Sequence, residues 1–142
     1  IVLDASVVVS ALWVRDERHE VSRAWLAGYL ASGALLLAPS LILIEVAGVV
    51  ARRTGDTVLG EEATAYFESI PVLELVDFDR QQSRLSARLA AELRLRGADT
   101  TTVALALERG VPLITWDKEQ IERGGQRSEV RTPLAPMASS SE

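Results

Sequence analysis

Short apolar runs alternate along the chain with longer segments in which apolar residues fall at helical spacing. Four runs are nearly continuous, at 1–4 (IVLD), 34–38 (ALLLA), 72–76 (VLELV) and 111–115 (VPLIT). Such runs are typical of strands buried on both faces of a parallel sheet. The segment 128–132 (SEVRT) is a candidate for a last strand. The pattern predicts an α/β fold, a central parallel sheet covered by helices on both faces.

The segments between these runs predict helices. Leu85, Leu89 and Leu93 recur every fourth residue, and Gly97 lies just beyond the predicted end of their helix. Ser40 is the expected N-cap of a very apolar helix, and 55–60 is the expected connection to the next one. The predicted helices cover 6–14, 15–33, 41–53, 61–70, 79–96, 100–110 and 118–125.

Length and composition limit the classes of protein to consider. The chain has 142 residues, enough for one domain, and we expect it to cover 1–131 with a flexible tail at 132–142. Without cysteine and with one histidine, it offers no disulfide and no multi-histidine zinc site. No segment is apolar enough to span a membrane. The absence of cysteine fits a reducing cytoplasm, where we expect the protein to act.

Net charge changes the expected partners. The formal charge of −5 argues against a large basic footprint for double-stranded DNA. A small nucleic-acid site remains open, because bound divalent cations can invert the local sign of the charge.

Four acidic residues stand at the edges of apolar segments. Asp4 ends the first strand, Asp117 closely follows the strand at 111–115, Asp99 starts a buried helix, and Glu45 lies inside the most apolar helix. In open parallel sheets, ligands bind outside the carboxyl ends of the strands. We therefore expect the four carboxylates to converge on one rim of the sheet.

Each acid also has a simpler explanation. Asp4 and Asp99 would serve as helix caps, and Asp117 with Gln120 resembles a capping box. Glu45 is harder to explain, because its neighbours are apolar and no basic residue lies three or four positions away. A buried carboxylate without a partner is costly, so Glu45 needs either a distant arginine or a bound cation.

Oxygen ligands in this number favour a hard cation such as Mg²⁺. Acids around one or two such ions are typical of sites that cleave phosphodiester bonds. Ser6 and Thr115, each two residues from an aspartate, are candidates for orienting a carboxylate or a water. Their alternative roles, as a turn hydroxyl and a strand residue, stay open at this point.

Several segments, in order, resemble the PIN domain family of metal-dependent nucleases and, within it, the VapC-like toxins. The matching segments are IVLDASVVV from residue 1, LAPSLILIEVAGVV around Glu45, and LRGADTTTVALALERGVPLITWD at 95–117. The resemblance extends from residue 1 to about 131. Three threonines follow Asp99 where relatives often carry an aromatic residue or histidine a few positions on, which puts substrate contacts rather than metal binding in doubt.

The resemblance implies a PIN-like α/β/α sandwich and a metal-dependent endoribonuclease that uses Mg²⁺ or Mn²⁺. It implies a cognate antitoxin that lies in an apolar groove and presents a basic side chain to the acidic pocket, and a homodimer. Carried over by motif, the catalytic and metal-binding residues are Asp4, Glu45, Asp99 and Asp117, with Ser6 and Thr115 in support.

Two other functions stay open from the sequence. A phosphoryl-transfer enzyme would use Asp4 as nucleophile, with Lys118 and Thr115 beside it. A catalytically inactive scaffold would bind a protein partner through its apolar helices. Metal binding is the property that separates the nuclease from the scaffold.

Overall fold

A five-stranded parallel sheet forms the centre of the molecule in the computed structural model, which describes residues 1–134. The strand order is β3-β2-β1-β4-β5. The predicted parallel sheet is confirmed, including the last strand. The strands are β1 (Val2–Leu3), β2 (Leu36–Pro39), β3 (Leu73–Val76), β4 (Leu113–Ile114) and β5 (Val130–Arg131).

Helices cover both faces of the sheet, so the predicted α/β/α architecture is also confirmed. Helices α1 to α4 share one apolar cluster with the sheet, and α5 and α6 share the other. A turn of 3₁₀ helix at Gly124–Gln126 follows α7. The helices are α1 (Ala5–Leu12), α2 (His19–Ala31), α3 (Ile42–Thr54), α4 (Thr57–Glu68), α5 (Arg80–Leu93), α6 (Gly97–Arg109) and α7 (Lys118–Glu122).

Alternation along the strands divides the core between the two faces. Leu3 and Ile114 pack into the cluster with α1 to α4, whereas their neighbours Val2 and Leu113 pack into the cluster with α5 and α6. These residues are also paired across the sheet, Val2 with Leu113 and Leu3 with Ile114. Because successive side chains of a strand point to opposite faces, two residues per strand suffice to join both halves of the core.

The predicted N-cap role of Ser40 is wrong. Helix α3 starts after Leu41, whose side chain makes no capping hydrogen bond. The Ser40 hydroxyl instead accepts a hydrogen bond from the backbone N–H of Phe78, at 3.3 Å. Ser40 therefore fixes the segment that leaves β3, a long-range role that local capping rules do not reveal.

The predicted connection at 55–60 is also wrong beyond Asp56. The Asp56 carboxylate accepts from the backbone N–H groups of Val58 and Leu59, so α4 already begins at Thr57. Gly60 lies inside α4, where a Cβ would stand 2.8 Å from the carbonyl oxygen of Ala47 in α3. Gly60 therefore allows α3 and α4 to pack closely, and it does not interrupt a helix.

Two other predicted helix boundaries also differ from those in the structure. Gly97 is the first residue of α6, and α5 is instead closed by Arg94 in the left-handed conformation, with φ of 55°. The helix expected over 15–33 starts only at His19, because residues before it form turns in which Asp16 accepts from the N–H of Arg18.

The tail expected at 132–142 lies largely outside the described residues, which end at 134, and the domain division therefore stays a prediction. Within 1–134, no helix has both the length and the apolar character needed to cross a membrane.

Candidate functional site

The carboxyl ends of β1 and β4 lie side by side at the centre of the sheet, since Leu3 pairs with Ile114. The chain reaches β2 on one side of β1 and β4 on the other, so the strand order reverses at this point. In open parallel sheets this reversal leaves a crevice in which ligands bind. Asp4 directly follows β1, and Thr115 directly follows β4.

A cavity of about 250 Å³ opens there and is lined by all four acids that the sequence singled out. Asp4 is the N-cap of α1 and Asp117 the N-cap of α7, whereas Glu45 and Asp99 lie in the first turns of α3 and α6. Four helices thus direct one carboxylate each towards the same space. Their convergence, expected from the strand-end positions, is what the structure shows; their catalytic roles are a separate matter.

Asp4 is the most firmly held of the four, with 5% of its surface exposed. Oδ2 accepts hydrogen bonds from the backbone N–H of Ser6 at 3.0 Å and from the Thr115 hydroxyl at 3.1 Å. Oδ1 accepts from the Gln120 amide at 3.1 Å. The expected role of Asp4 at the start of α1 is therefore confirmed, and three donors hold its carboxylate in one orientation.

The hydroxyls of Ser6 and Thr115 connect the two strand ends. Thr115 Oγ1 donates to Asp4 and accepts from the backbone N–H of Asp117 at 2.9 Å. Ser6 Oγ lies 3.3 Å from Thr115 Oγ1 and accepts from the N–H of Trp116 at 3.1 Å. Both residues thus hold the loop after β4 against the start of α1.

Asp117 caps α7 as expected, because its carboxylate accepts from the backbone N–H of Gln120 at 2.8 Å. The other half of the predicted capping box is wrong. The Gln120 amide does not return to the helix start but donates to Asp4, to the Asp99 carbonyl at 3.0 Å and to the Thr102 hydroxyl at 3.0 Å.

Gln120 is therefore a site residue that sequence reasoning missed. Its side chain is fully buried and joins α7 to α6 behind the carboxylates. The only signal in the sequence was a polar residue at the third helical position, and local capping explained that signal equally well.

Among the four acids, Glu45 is the one with a buried carboxylate oxygen that no group within residues 1–134 compensates. Its Oε1 atom is buried without a hydrogen-bond partner, and none of the ion pairs within residues 1–134 includes it. Burial, followed by the negative charges of Asp4 and Asp99, raises the pKa of Glu45 to about 7. The distant arginine left open by the sequence is thus not found in the part of the chain that the structure describes.

Asp99 shares this electrostatic environment. Burial and the charges of Asp117 and Asp4 raise its pKa to about 6, an effect that Arg96 partly offsets. Asp99 is not the cap of α6, because the N-cap position is Arg96 and no side chain caps the helix there. Its place in the first turn still gives a favourable interaction with the helix dipole.

The rim of the cavity adds basic and aromatic groups. The Arg18 guanidinium lies 4.7 Å from the ring centre of Trp116, whose Nε1 donates to Ser22 at 2.8 Å. Arg53, which also lines the cavity, forms an ion pair with Asp16 at 3.1 Å. No local sequence pattern predicts Asp16 or Arg53 here, because the turn before α2 and the last turn of α3 meet only in the folded chain.

The residues present fit a hydrated divalent cation. The side chains in the cavity that could ligate a metal carry carboxylate or hydroxyl oxygens, and Glu45 has a buried oxygen without a partner within residues 1–134. Burial, followed by the neighbouring negative charges, raises the pKa of both Glu45 and Asp99. No group of three or more His, Asp or Glu side chains within residues 1–134 is already arranged to hold an ion. Mg²⁺ needs only one or two carboxylates, because it retains several water molecules.

Comparison with known proteins agrees with this arrangement. The family model described as the PIN domain matches residues 1–125. No curated protein sequence shows significant similarity to the chain.

Several solved structures share the fold at low sequence identity. Mycobacterium tuberculosis VapC20, described as a toxin that cleaves the sarcin-ricin loop, has a TM-score of 0.71 and 17% identity, with 82% of this chain and 89% of that chain covered. VapBC2 from Rickettsia felis, bound to promoter DNA, has a TM-score of 0.68 and 17% identity, with 92% and 96% covered. FitAcB from Neisseria gonorrhoeae has a TM-score of 0.66 and 18% identity, with 93% and 96% covered.

Proposed function

Since the chain belongs to the PIN domain family, we propose that it is a metal-dependent endoribonuclease and the toxin of a toxin–antitoxin pair. The observation that carries the proposal is the convergence of Asp4, Glu45, Asp99 and Asp117 on one cavity. The buried oxygen of Glu45 has no hydrogen-bond partner in the described part of the chain. A cluster of acids that costs stability by itself is best explained by a positively charged ligand.

The four carboxylates would hold Mg²⁺ or Mn²⁺, with Asp4 and Asp117 as the best candidates for direct ligands. Both are N-caps, and Asp4 is fixed by three hydrogen bonds, so neither has to reorganise greatly when a ligand enters. Ser6, Thr115 and Gln120 act as positioning residues through Asp4. When bound, the ion supplies positive charge at the phosphate and lowers the pKa of a nearby water.

Glu45 is our candidate for the group that orients the attacking water and accepts its proton. Its carboxylate lines the cavity beside the candidate ligands, and the ion pairs within residues 1–134 leave it free to accept a proton from a water there. Attack by water on the phosphorus and departure of the 3′ oxygen, which takes up a proton, would leave a 5′-phosphate and a 3′-hydroxyl. Asp99 would complete the set of carboxylates that holds the metal.

RNA is the proposed substrate for two reasons. One structural relative is described as a toxin that cleaves the sarcin-ricin loop. In this chain, Arg18 and Trp116 form a stacked pair on the rim of the acidic cavity, at 4.7 Å. Aromatic and arginine side chains of this kind stack on unpaired bases, which favours single-stranded RNA over a duplex.

A protein partner is proposed from the groove next to the acidic cavity. This apolar groove, of about 420 Å³, lies between α1, α3 and α4 and exposes 77% of Val14. Trp13 lines it, and Arg53 of the acidic cavity stacks on the Trp13 ring at 4.8 Å. An antitoxin segment lying in the groove would therefore reach the carboxylates, as in the family. The structural relatives include toxin–antitoxin complexes.

A homodimer and a cytoplasmic location complete the proposal. Ile44 on α3 and Val58 on α4 are 70% and 58% exposed, and a second copy would cover such side chains. Sedimentation equilibrium of the purified chain tests the homodimer. Fractionation of the cells that produce the protein tests its cytoplasmic location.

The decisive experiment is cleavage of a mixed pool of structured RNA by the purified protein in Mg²⁺, Mn²⁺ or EDTA. We expect metal-dependent cuts with 5′-phosphate ends, reduced about 100-fold or more in Asp99→Asn, because that variant removes a charge from the cavity and keeps its shape. Asp56→Asn is the matched control, since this N-cap of α4 lies outside the cavity. Addition of the antitoxin should abolish cleavage.

Two other outcomes would change the assignment. Metal binding without cleavage would mean that the pool lacks the substrate, whereas neither binding nor cleavage would favour an inactive scaffold. Phosphoryl transfer from Asp4 is the weaker alternative, because Lys118, the one lysine of the chain, is not among the residues that line the cavity. Stable phosphorylation of Asp4 by a small phosphodonor would revive it.

A further inference from the structure

Helix α5 carries a row of arginines on its exposed side. Arg80, Arg84 and Arg88 follow each other every fourth residue, so they lie on one face of the helix and span about 12 Å. We call these three residues the arginine row. All three are exposed and line a groove between α5 and α6.

The arginine row does not help α5 to fold. Like charges four residues apart repel each other, and Arg80 places a cation at the positive end of the helix dipole. The ion pairs found within residues 1–134 include none of the three. The only acid four residues from a member of the row is Glu92, and Arg127 binds it from outside the helix. Local stability therefore does not explain the row.

The groove also contains one carboxylate, that of Glu108, but it does not neutralise the arginines. Gln82 and Gln81, on α5, both donate their side-chain amides to Glu108. These contacts hold the carboxylate while the guanidinium groups stay available to a ligand. The segment 80–96 as a whole has five arginines and one glutamate in a chain of net charge −5.

The arginine row lies on one helix of a pair whose other helix, α6, carries Asp99. Gln81 and Gln82 at the start of α5 contact Glu108 near the end of α6, so the two helices are antiparallel. The end of α5 nearest Arg88 therefore lies beside the start of α6. Arg96, the N-cap residue of α6, stands there, three positions before Asp99.

We propose that the arginine row binds the phosphate backbone of the RNA strand outside the cleavage site. This inference rests on the proposed function, since it assigns a second contact surface to the same substrate. A row of evenly spaced, unpaired guanidinium groups is complementary to a chain of phosphates. A backbone contact of this kind adds affinity without sequence preference. It predicts that long RNA binds better than short RNA.

Binding can be measured apart from cleavage by using Asp99→Asn as the background. The probe is a fluorescent single-stranded RNA of mixed sequence, about 20 nucleotides long, and the readout is anisotropy between 50 and 200 mM salt. We compare Asp99→Asn alone with the same chain carrying R84Q/R88Q. The control pair R23Q/R52Q removes the same charge from two exposed arginines. Neither of them lines the groove between α5 and α6 or the acidic cavity.

We expect R84Q/R88Q to weaken binding about tenfold and to reduce the slope of log affinity against log salt by about 1.4, the value for two lost phosphate contacts on a single strand. The control pair should change neither quantity to this extent. In the active chain, R84Q/R88Q should lower kcat/KM for the long RNA while cleavage of a substrate of about four nucleotides stays the same.

An unchanged affinity and salt slope in R84Q/R88Q would overturn the proposal, whether or not the wild-type chain cleaves RNA. A polyglutamate peptide of similar length tests the other class of polyanion. If R84Q/R88Q lost binding to that peptide but not to RNA, the row would serve an acidic protein segment instead. Failure of the proposed function has a different signature, the absence of metal-dependent cuts by the wild-type chain.

Discussion

A single fully buried glutamine links three elements behind the acidic cavity. Gln120 donates to the Asp4 carboxylate and to two acceptors on α6, while its own Oε1 has no hydrogen-bond partner among residues 1–134. Leaving this buried oxygen without a hydrogen bond costs stability, whereas the amide group of Gln120 holds the Asp4 carboxylate in one orientation. The residue is neutral, so it positions Asp4 without competing with a cation for its charge.

Replacing Gln120 by methionine should weaken Mn²⁺ binding by about 10- to 100-fold, because Asp4 loses a donor that fixes it. The expected loss of stability is about 1–3 kcal/mol, since a buried hydrogen-bonding group disappears. Titration calorimetry and urea unfolding measure the two effects.

Gln82→Met is the matched control for this substitution. Gln82 is also buried and also donates to a carboxylate, that of Glu108, but it lies on α5 away from the cavity. The Gln82→Met variant should be less stable than the wild-type chain but should bind Mn²⁺ with the same affinity. Equal Mn²⁺ affinities in the two variants would show that Gln120 has only a structural role.

Among the elements, the pair α3 and α4 decides where Glu45 stands. Glu45 lies in the first turn of α3, and the later turns of α3 pack against α4 through Ala47, Ala51 and Gly60. The approach is so close that a Cβ on Gly60 would lie 2.8 Å from the carbonyl oxygen of Ala47 and 3.2 Å from the Cβ of Ala51. Backbone atoms cannot move out of the way as a flexible side chain can.

Gly60→Ala should therefore lower the free energy of unfolding by about 1–3 kcal/mol, although alanine is the better helix former. Gly28→Ala in α2 is the control, because a Cβ there meets nothing within 4 Å, and it should raise stability by up to about 1 kcal/mol. Urea midpoints distinguish them. Stabilisation of both variants would mean that α3 and α4 separate easily.

For the whole molecule, the distribution of charge matters more than its sum. Carboxylates concentrate at the central cavity, whereas the arginine row and Arg96 occupy α5 and the segment after it. The fold must hold the acids together against their repulsion. In the absence of a cation this repulsion opposes folding, and it should depend on pH.

The free energy of unfolding in EDTA should fall as pH rises from about 4.5 to 7. Glu45 and Asp99 have folded-state pKa values of about 7 and 6, above their ordinary values of 4.5 and 3.8, so the unfolded chain releases these protons first. Their favourable contribution is complete at low pH and is lost as pH passes the folded-state values. Urea unfolding at pH 5 and pH 8 measures the change.

Glu45→Gln provides the comparison, because it keeps the side-chain shape and removes one titrating group. The fall between pH 5 and pH 8 should be smaller in the variant by about 1–2 kcal/mol, since part of the carboxyl faces water and is screened. Saturating Mn²⁺ should reduce the fall in the wild-type chain. Identical pH dependence in the two chains would argue against a destabilising charge on Glu45.

The sequence by itself determined the kinds of element and the type of chemistry. Apolar runs marked the strands, helical spacing marked most helices, and strand-end positions singled out the four acids that now line one cavity. These features are readable because hydrophobic periodicity and strand polarity are local properties that follow from backbone geometry. The motif order also identified the family, which the match over residues 1–125 confirms.

Tertiary structure alone decided what each polar or small residue does. Ser40 accepts a hydrogen bond from Phe78, Gln120 donates to Asp4, and Gly60 lets α3 approach α4 closely. Local rules instead predicted capping for Ser40 and Gln120 and a connection at Gly60. The same applies to the unpaired oxygen of Glu45 and to the rim formed by Arg53 and Asp16. A serine, glutamine or glycine satisfies local and distant partners equally well, so only the packing of remote segments selects between them.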